Sequence, residues 1–377
     1  MRQSAARAAL AVALVLLAAC ARTVVPPAVS PARLPFRADT LRTVEIAPGL
    51  LHHFVYAAEG PWAIHLLELH RDACWSLRAA KGTSGAAGRT TTSAILRGLS
   101  ERAPVYAGVN ADFFSLATGV PQTALIIDGS VVAGPTPRPV FWVDSAGRPG
   151  IGTLAVRGSV QLKDGSTYPL GAWNRMSVDG SSRIEVGLTG MSPSRVAFVD
   201  TLPAGSTIAA VGGLLVAGPR APADVRRALL ALARGDELLV MRSLRPAAPR
   251  EAVGGWPIIL RDSVITVAVD SAGATFAPVR HPRTAVGLAD GGRTVYLVVV
   301  DGRQKPYSDG MTLRELARLF QSIGVRDALN LDGGGSTAMI AADPDATHTL
   351  RLQNRPSDKG GERTVGDALA VVRSCGT

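Results

Sequence analysis

The sequence predicts a strand-rich fold with few helices, closing in a strand–helix–strand unit. Three observations point there. Short apolar or alternating runs recur along the chain, punctuated by Asp-Gly, Pro-Gly and Gly-Gly pairs. Two segments carry a helical signal, Pro222 to Arg234 and Thr312 to Gly324. The 377 residues are 47% hydrophobic and 19% charged, enough to bury one large core or two modest ones.

The first 20 residues read as an export signal. Arg2 and Arg7 flank the start, Ala8 to Ala19 is apolar, and the stretch ends Leu17-Ala18-Ala19-Cys20. About a dozen apolar residues are too few for a lasting membrane span. The ending resembles a bacterial lipobox, in which the cysteine is lipidated, so residues 1–20 are expected to be a lipoprotein signal peptide with Cys20 as its lipidation site. An ordinary secretory signal cut nearby is the alternative. The expected location is outside the cytoplasm, in the periplasm or at the cell surface, with a lipid anchor in the membrane. Residues 21–40 hold four prolines and read as a stiff spacer. Cys74 and Cys375 are the two cysteines left, and in an exported chain they are expected to pair; two buried thiols are the alternative.

From about Leu41 the pattern turns β-like. Ile64-His-Leu-Leu-Glu-Leu and Val105-Tyr-Ala-Gly-Val-Asn are strands, and Ala124-Leu-Ile-Ile runs into an Asp128-Gly129 turn. Pro222 to Arg234 is a short helix with proline in its first turn. Thr284 to Ala289 and Thr294 to Asp301 pair across Asp290-Gly-Gly-Arg293. If the two glycines form the loop, Arg283 lies opposite Val300; a one-residue slip places it opposite Asp301. Thr312 and Glu315 have capping-box spacing, Leu313, Leu316, Ala317 and Phe320 share a helical face, and Gly324 stops the helix. The strand Ala328 to Asp332 follows. Strand, helix, strand implies a parallel crossover, which brings Asp301 and Asp332 to one sheet edge, together with Arg283.

Charge excludes little but disfavours one class. The net charge is +10, yet four of the 40 basic residues are lysines, the arginines are scattered, and aromatics make up 5%. A nucleic-acid binder would show a basic stripe with interleaved aromatics, so no nucleic-acid partner is expected. A basic surface does attract anionic substrates.

Asn330-Leu-Asp-Gly-Gly-Gly-Ser-Thr337 lacks the lysine of a phosphate-binding P-loop and the spacing of a dinucleotide fingerprint. It resembles the signature of the phosphodiester glycosidase family, relatives of the enzyme that uncovers mannose phosphate by removing N-acetylglucosamine. Other blocks resemble the family in order: Gly108-Val-Asn-Ala-Asp-Phe-Phe114, Gly254-Gly-Trp-Pro, His281-Pro-Arg-Thr-Ala-Val-Gly287, Val300-Asp-Gly-Arg303, Asn354-Arg-Pro-Ser and Gly361-Glu-Arg-Thr-Val. Ala111-Asp112 stands where the family commonly has glycines. The resemblance runs from Ala103 to Val372 and is weaker over 145–250. It divides the chain into a β-rich extension at 41–102 and a glycosidase domain at 103–377.

The resemblance implies a single α+β domain with mixed β-sheets, the C-terminal strand–helix–strand unit carrying the site. It implies an enzyme, a hydrolase cleaving the sugar side of a glycosyl phosphodiester. Asp332 would be nucleophile or general base, or else a turn cap. Asp301 would be its partner acid, or cap Gly302; Asp112 would be a second acid, or cap its loop. Arg283 suits phosphate by its planar fork, or forms a surface ion pair. Asn110 and Asn330 would bind sugar hydroxyls, or serve as turn residues. Gly333, Gly334, Gly335 and Ser336 would form a cradle of N–H donors. His281 would shuttle protons or stack in the fold, and Phe113 and Phe114 would be core or a sugar platform. No cofactor is expected and zinc spacing is absent, although Asp301, Asp332 and Asp112 would suit Ca²⁺ through oxygen. Two other functions fit the same residues: a glycosidase on ordinary glycans and a non-catalytic glycan-binding lipoprotein.

Overall fold

The computed structural model describes residues 29–30, 32–72, 74–170, 172–175, 183–190, 193–202, 213–344 and 348–373. The expected signal peptide, the lipidation site Cys20 and the first part of the 21–40 spacer lie outside these residues. The second part of that spacer does not stand free. Val29 and Leu34 are buried with Trp62 in an apolar cluster, and the first strand starts at Thr40. Apolar side chains in a proline-rich segment find a surface to cover when the globular body offers one.

The site is positioned by strands β1 (Trp62–His70), β2 (Val105–Asn110), β3 (Pro249–Gly254), β4 (Arg283–Ala289) and β5 (Thr294–Val300), by helix α1 (Leu313–Ser322), and by strands β6 (Asp327–Asn330), β7 (Met339–Ala342) and β8 (Ala368–Arg373). An eight-stranded sheet has the order Thr40–Ala47, Leu50–Ala57, β1, β5, β4, β6, Ile258–Arg261, Val264–Ile265. A five-stranded sheet has the order Leu350–Leu352, β7, β2, β8, Trp75–Ala80. A second five-stranded sheet contains β3 and the hairpin Leu125–Ile127 to Ser130–Ala133, turned at Asp128 and Gly129 with φ of 49° and 79°. These three sheets share one apolar core, with Leu67, Val286 and Val299 from the first, Leu77, Val109 and Leu369 from the second, and Phe141 and Val253 from the third.

Every residue of β4 and β5 is buried. Their largely apolar sequences follow from cover on both faces: the shared core lies on one side and α1 on the other. Helix α1 carries the expected capping box, with Thr312 accepting from Glu315 N–H and Glu315 from Thr312 N–H. It buries Leu313, Leu316, Ala317 and Phe320, as the spacing predicts, and Leu319 as well. Phe320 sits so close to β4 that a Cβ on Gly287 would come within 2.7 Å of its ring. The earlier helix is shorter than the sequence suggests, Ala223–Leu230, with Pro222 at its N-cap.

The expected register is observed: Arg283 lies opposite Val300. The parallel crossover is observed, with one strand inserted in it. Strands β5 and β6 are parallel but not neighbours, because β4 lies between them and pairs antiparallel with both. The start of β4 and the ends of β5 and β6 therefore share one sheet edge. Residues 41–102 supply three strands on one side of β5, of which β1 pairs with it, and one strand beside β8. The region where the resemblance is weak forms its own seven-stranded sheet between Ala155–Gln161 and Glu237–Arg245. No described helix is long and apolar enough to cross a membrane.

Phe320→Ala leaves a cavity against a closely packed strand. It should cost about 3–5 kcal/mol, read as a lower denaturant midpoint at unchanged slope.

Candidate functional site

The chain leaves β6 at Asn330 and is pinned at once. Leu331 N–H donates to Thr284 O and Asp332 N–H to Ala111 O, each at 2.8 Å. Asn110, at the end of β2, donates to Asp332 O at 2.7 Å and accepts from Thr284 Oγ1 and Ala338 N–H. Asp332 is thus held between two sheets, with Oδ1 accepting from Gly333 N–H at 2.9 Å.

Two further carboxylates gather there. Asp112 Oδ2 accepts from Thr123 N–H at 2.8 Å, and Asp367, at the entry to β8, accepts from Asp112 N–H at 2.7 Å. Asp112 Oδ1 and Asp367 Oδ2 are buried without a hydrogen-bond donor. Gly254, at the end of β3, makes room for this pair: a Cβ there would lie 2.4 Å from Asp112 Cγ. Burial pushes Asp332 up to about 6, against the pull of the Ser336 hydroxyl, Gly333 N–H and Arg363. Asp112 is held well above the usual carboxylate range, by burial first and by Asp367 next. Burial likewise raises Asp367. The Asp112–Asp367 pair therefore keeps a proton where ordinary carboxylates have lost theirs.

Arg175 braces the Asp112 loop from outside, donating to Gln122 O at 2.9 Å and reaching Thr123 O at 3.5 Å. Two other arginines close over the glycine turn. Arg303 sits in the left-handed region with φ of 59°, and its guanidinium would be 3.1 Å from a Cβ on Gly334. It is exposed and makes no ion pair among the described residues. Arg303 Nη2 donates to His281 Nδ1 at 3.2 Å, while His281 Nε2 donates to Thr275 O at 3.1 Å. Burial lowers the His281 proton affinity, so the neutral ring orients Arg303. Arg363 is paired with Asp358 at 2.8 Å and packs on Gly335, where a Cβ would meet it at 2.2 Å.

The glycines therefore serve close approach. Of the N–H groups expected to form a cradle, Gly333 N–H goes to Asp332, Gly334 N–H to Pro282 O and Ser336 N–H back into the turn, which leaves Gly335 N–H. Most of the turn's donors serve its own fold, and two guanidiniums lie against its glycines.

Arg283 is also corrected. Its Nε donates to Met311 O and its Nη2 to Phe276 O and Val279 O, with Phe276 stacked at 4.7 Å. A buried guanidinium is claimed by the carbonyls around it, so Arg283 is scaffold. Asp301 is scaffold too, accepting from Asn354 Nδ2, Arg355 N–H and the Tyr307 hydroxyl. That leaves the calcium arrangement of Asp301, Asp332 and Asp112 unformed, and no group of three His, Cys, Asp or Glu among the described residues is arranged for a metal. Asn110 is spent on the backbone. Asn330 gives its NH₂ to Trp256 O and Leu331 O and keeps a buried, unpartnered Oδ1. Phe114 is core, whereas half-buried Phe113 meets Phe276, on which Trp256 stacks at 5.6 Å. Cys74 is disulfide-bonded; Cys375, its expected partner, lies outside the described residues, although Arg373 pairs opposite Trp75 next door.

Sequence reasoning passed over Asp367, Arg303, Arg363 and Trp256. Three of them stand inside blocks already recognised. Gly366-Asp367 before a buried strand reads as an ordinary turn.

The raised carboxylates carry a sign for stability. A folded pKa above the unfolded one adds stability at low pH that is lost as pH rises through the folded pKa. Asp367→Asn keeps the acceptor for Asp112 N–H and removes the charge. Its melting temperature should exceed that of the parent at pH 8, and the gap should close near pH 4.

The family model described as "Phosphodiester glycosidase" matches residues 190–372. A curated relative, the SPbeta prophage-derived uncharacterized protein YomE of Bacillus subtilis (strain 168), is 38% identical over 93 residues, 25% of this chain but 13% of that protein. A hypothetical protein from Synechocystis has the same fold, with a TM-score of 0.69 and 21% identity over 89% of this chain and 64% of its own. A putative exported protein from Burkholderia pseudomallei K96243 is 25% identical with a TM-score of 0.61, over 83% of this chain and 74% of its own. Five of the six further blocks and the Asn330–Thr337 signature fall within the family match, and over residues 190–372 this chain carries the sequence pattern of the phosphodiester glycosidases.

Proposed function

We propose that the protein is a hydrolase that cleaves the sugar side of a glycosyl phosphodiester, releasing a free sugar and a phosphomonoester. The observation that carries this reading is the placement of Asp332 at the foot of the glycine turn, with the buried Asp112 and Asp367 carboxyls behind it and two arginines packed on the turn. Arg303 and Arg363 receive the phosphate, which suits their planar forks. Asp332 carries the attack at C1, by taking a proton from water or by bonding to C1 itself. The C1–O bond breaks and its electron pair leaves with the phosphate; water supplies the hydroxyl at C1. The departing monoester has a second pKa near ~6, so it needs charge stabilisation more than a proton. Asp112 supplies a proton where the leaving oxygen demands one. The aromatic rim of Phe113, Phe276 and Trp256 supplies faces on which a sugar ring stacks.

We also read the chain as an exported lipoprotein anchored through Cys20, on the strength of its leader and Leu-Ala-Ala-Cys ending. Cys74 and Cys375 are its proposed disulfide.

A panel of sugar 1-phosphodiesters tests the activity. Turnover should yield a reducing sugar and a phosphomonoester, and Asp332→Asn should lower kcat by about 10²–10⁴-fold. A folded protein that turns over none of the panel is not this enzyme. The limiting pH dependence should rise through about pH 6 as Asp332 ionises and fall at higher pH when the Asp112–Asp367 pair loses its proton. Arg303→Ala should raise KM for phosphodiesters and leave thermal stability nearly unchanged, because the side chain is exposed.

A further inference from the structure

A second cavity, of about 540 Å³, opens between the strand Trp75–Ala80, β3 and the Leu125–Ile127 hairpin. Its size is within the about 300–1,000 Å³ typical of small-molecule sites. Neither Asp332 nor the arginines over the glycine turn line it. Its lining has an apolar part, Leu99, Ile127 and Val132. It also has a cationic part, Arg78 and Arg102. Neither guanidinium makes an ion pair or a side-chain hydrogen bond among the described residues. The remaining charges are already engaged. Lys81 caps Gly88 O and Gly366 O, and Asp128 pairs with Arg250. Glu251, 5% exposed, spends its oxygens on Ala79 N–H and Asp128 N–H and so forms the floor.

We propose that this cavity binds a saccharide unit bearing an anionic group, with the sugar against the apolar wall and the anion between Arg78 and Arg102. Arg78 lies in the field of Glu251 on the floor, while Arg102 is exposed; guanidiniums and apolar side chains in one lining are matched by a ligand that is part hydrocarbon face and part oxyanion. The site goes beyond the proposed hydrolysis and does not depend on it. It would hold a neighbouring unit of an acidic glycan, away from the bond being cut.

The test titrates the full chain, by calorimetry or NMR, with glucuronate, glucose 6-phosphate, glucose and inorganic phosphate. The proposal expects one charged sugar to bind at least tenfold more tightly than glucose and than phosphate alone. Which of the two does so identifies carboxylate or phosphate as the recognised anion. Arg78→Ala/Arg102→Ala should weaken that binding tenfold or more, and Arg303→Ala should leave it in place. Arg102→Ala alone, at an exposed position, should weaken it measurably should the double variant fail to fold. Absence of binding at millimolar concentrations, equal binding of glucose, binding of phosphate as tight as of the sugars, or indifference to the Arg102 change overturns the proposal. Loss in Arg303→Ala instead assigns the ligand to the catalytic centre and overturns it equally.

Discussion

Strand β4 runs between β5 and β6, and the ladders on its two edges decide what the end of this sheet presents. Arg283 opposite Val300 and Ala285 opposite Asn330 set three chain ends side by side. A slip of one residue on either edge would turn a fully buried strand inside out, so the core enforces the register that the site requires. Asp332 leaves β6 already aligned, and Leu331 and Asp332 then bond back to Thr284 and Ala111 before the chain turns.

The parts of this arrangement that depend on register were legible. The Asp-Gly-Gly-Arg turn counts Arg283 to Val300, and the capped, one-faced helix returns the chain to the same edge. Register does not say which way a long side chain goes. Arg283 starts at the right edge, but the carbonyls of Phe276, Val279 and Met311 take up its guanidinium, Met311 O accepting from His281 N–H as well. The glycine run carried a similar ambiguity. Glycine permits both a donor cradle and a close approach, and the packed arginines show which applies here. Asp367 comes from the far end of the chain, and its nearness to Asp112 depends on β8 pairing with β2, which no local pattern announces.

Three carboxylates with little water around them work against folding. The shared core of three sheets pays for this, as do the bonds that Asn110 makes to Asp332, Thr284 and Ala338. Two of the acids retain an oxygen with no donor. Such unmet groups cost stability wherever they occur, and a fold keeps them where an incoming partner completes them.

Arg175 gives the seven-stranded sheet a part in this chemistry. The arginine lies between strands Ala172–Trp173 and Arg183–Thr189 of that sheet, and it grips the same loop whose Thr123 N–H holds Asp112. Burial and Asp367 raise the proton affinity of Asp112 and the Arg175 charge lowers it, so that sheet is coupled to the acid through one guanidinium. A change in the sheet that shifts Arg175 would move the pH at which Asp112 gives up its proton, with all three carboxyls left in place.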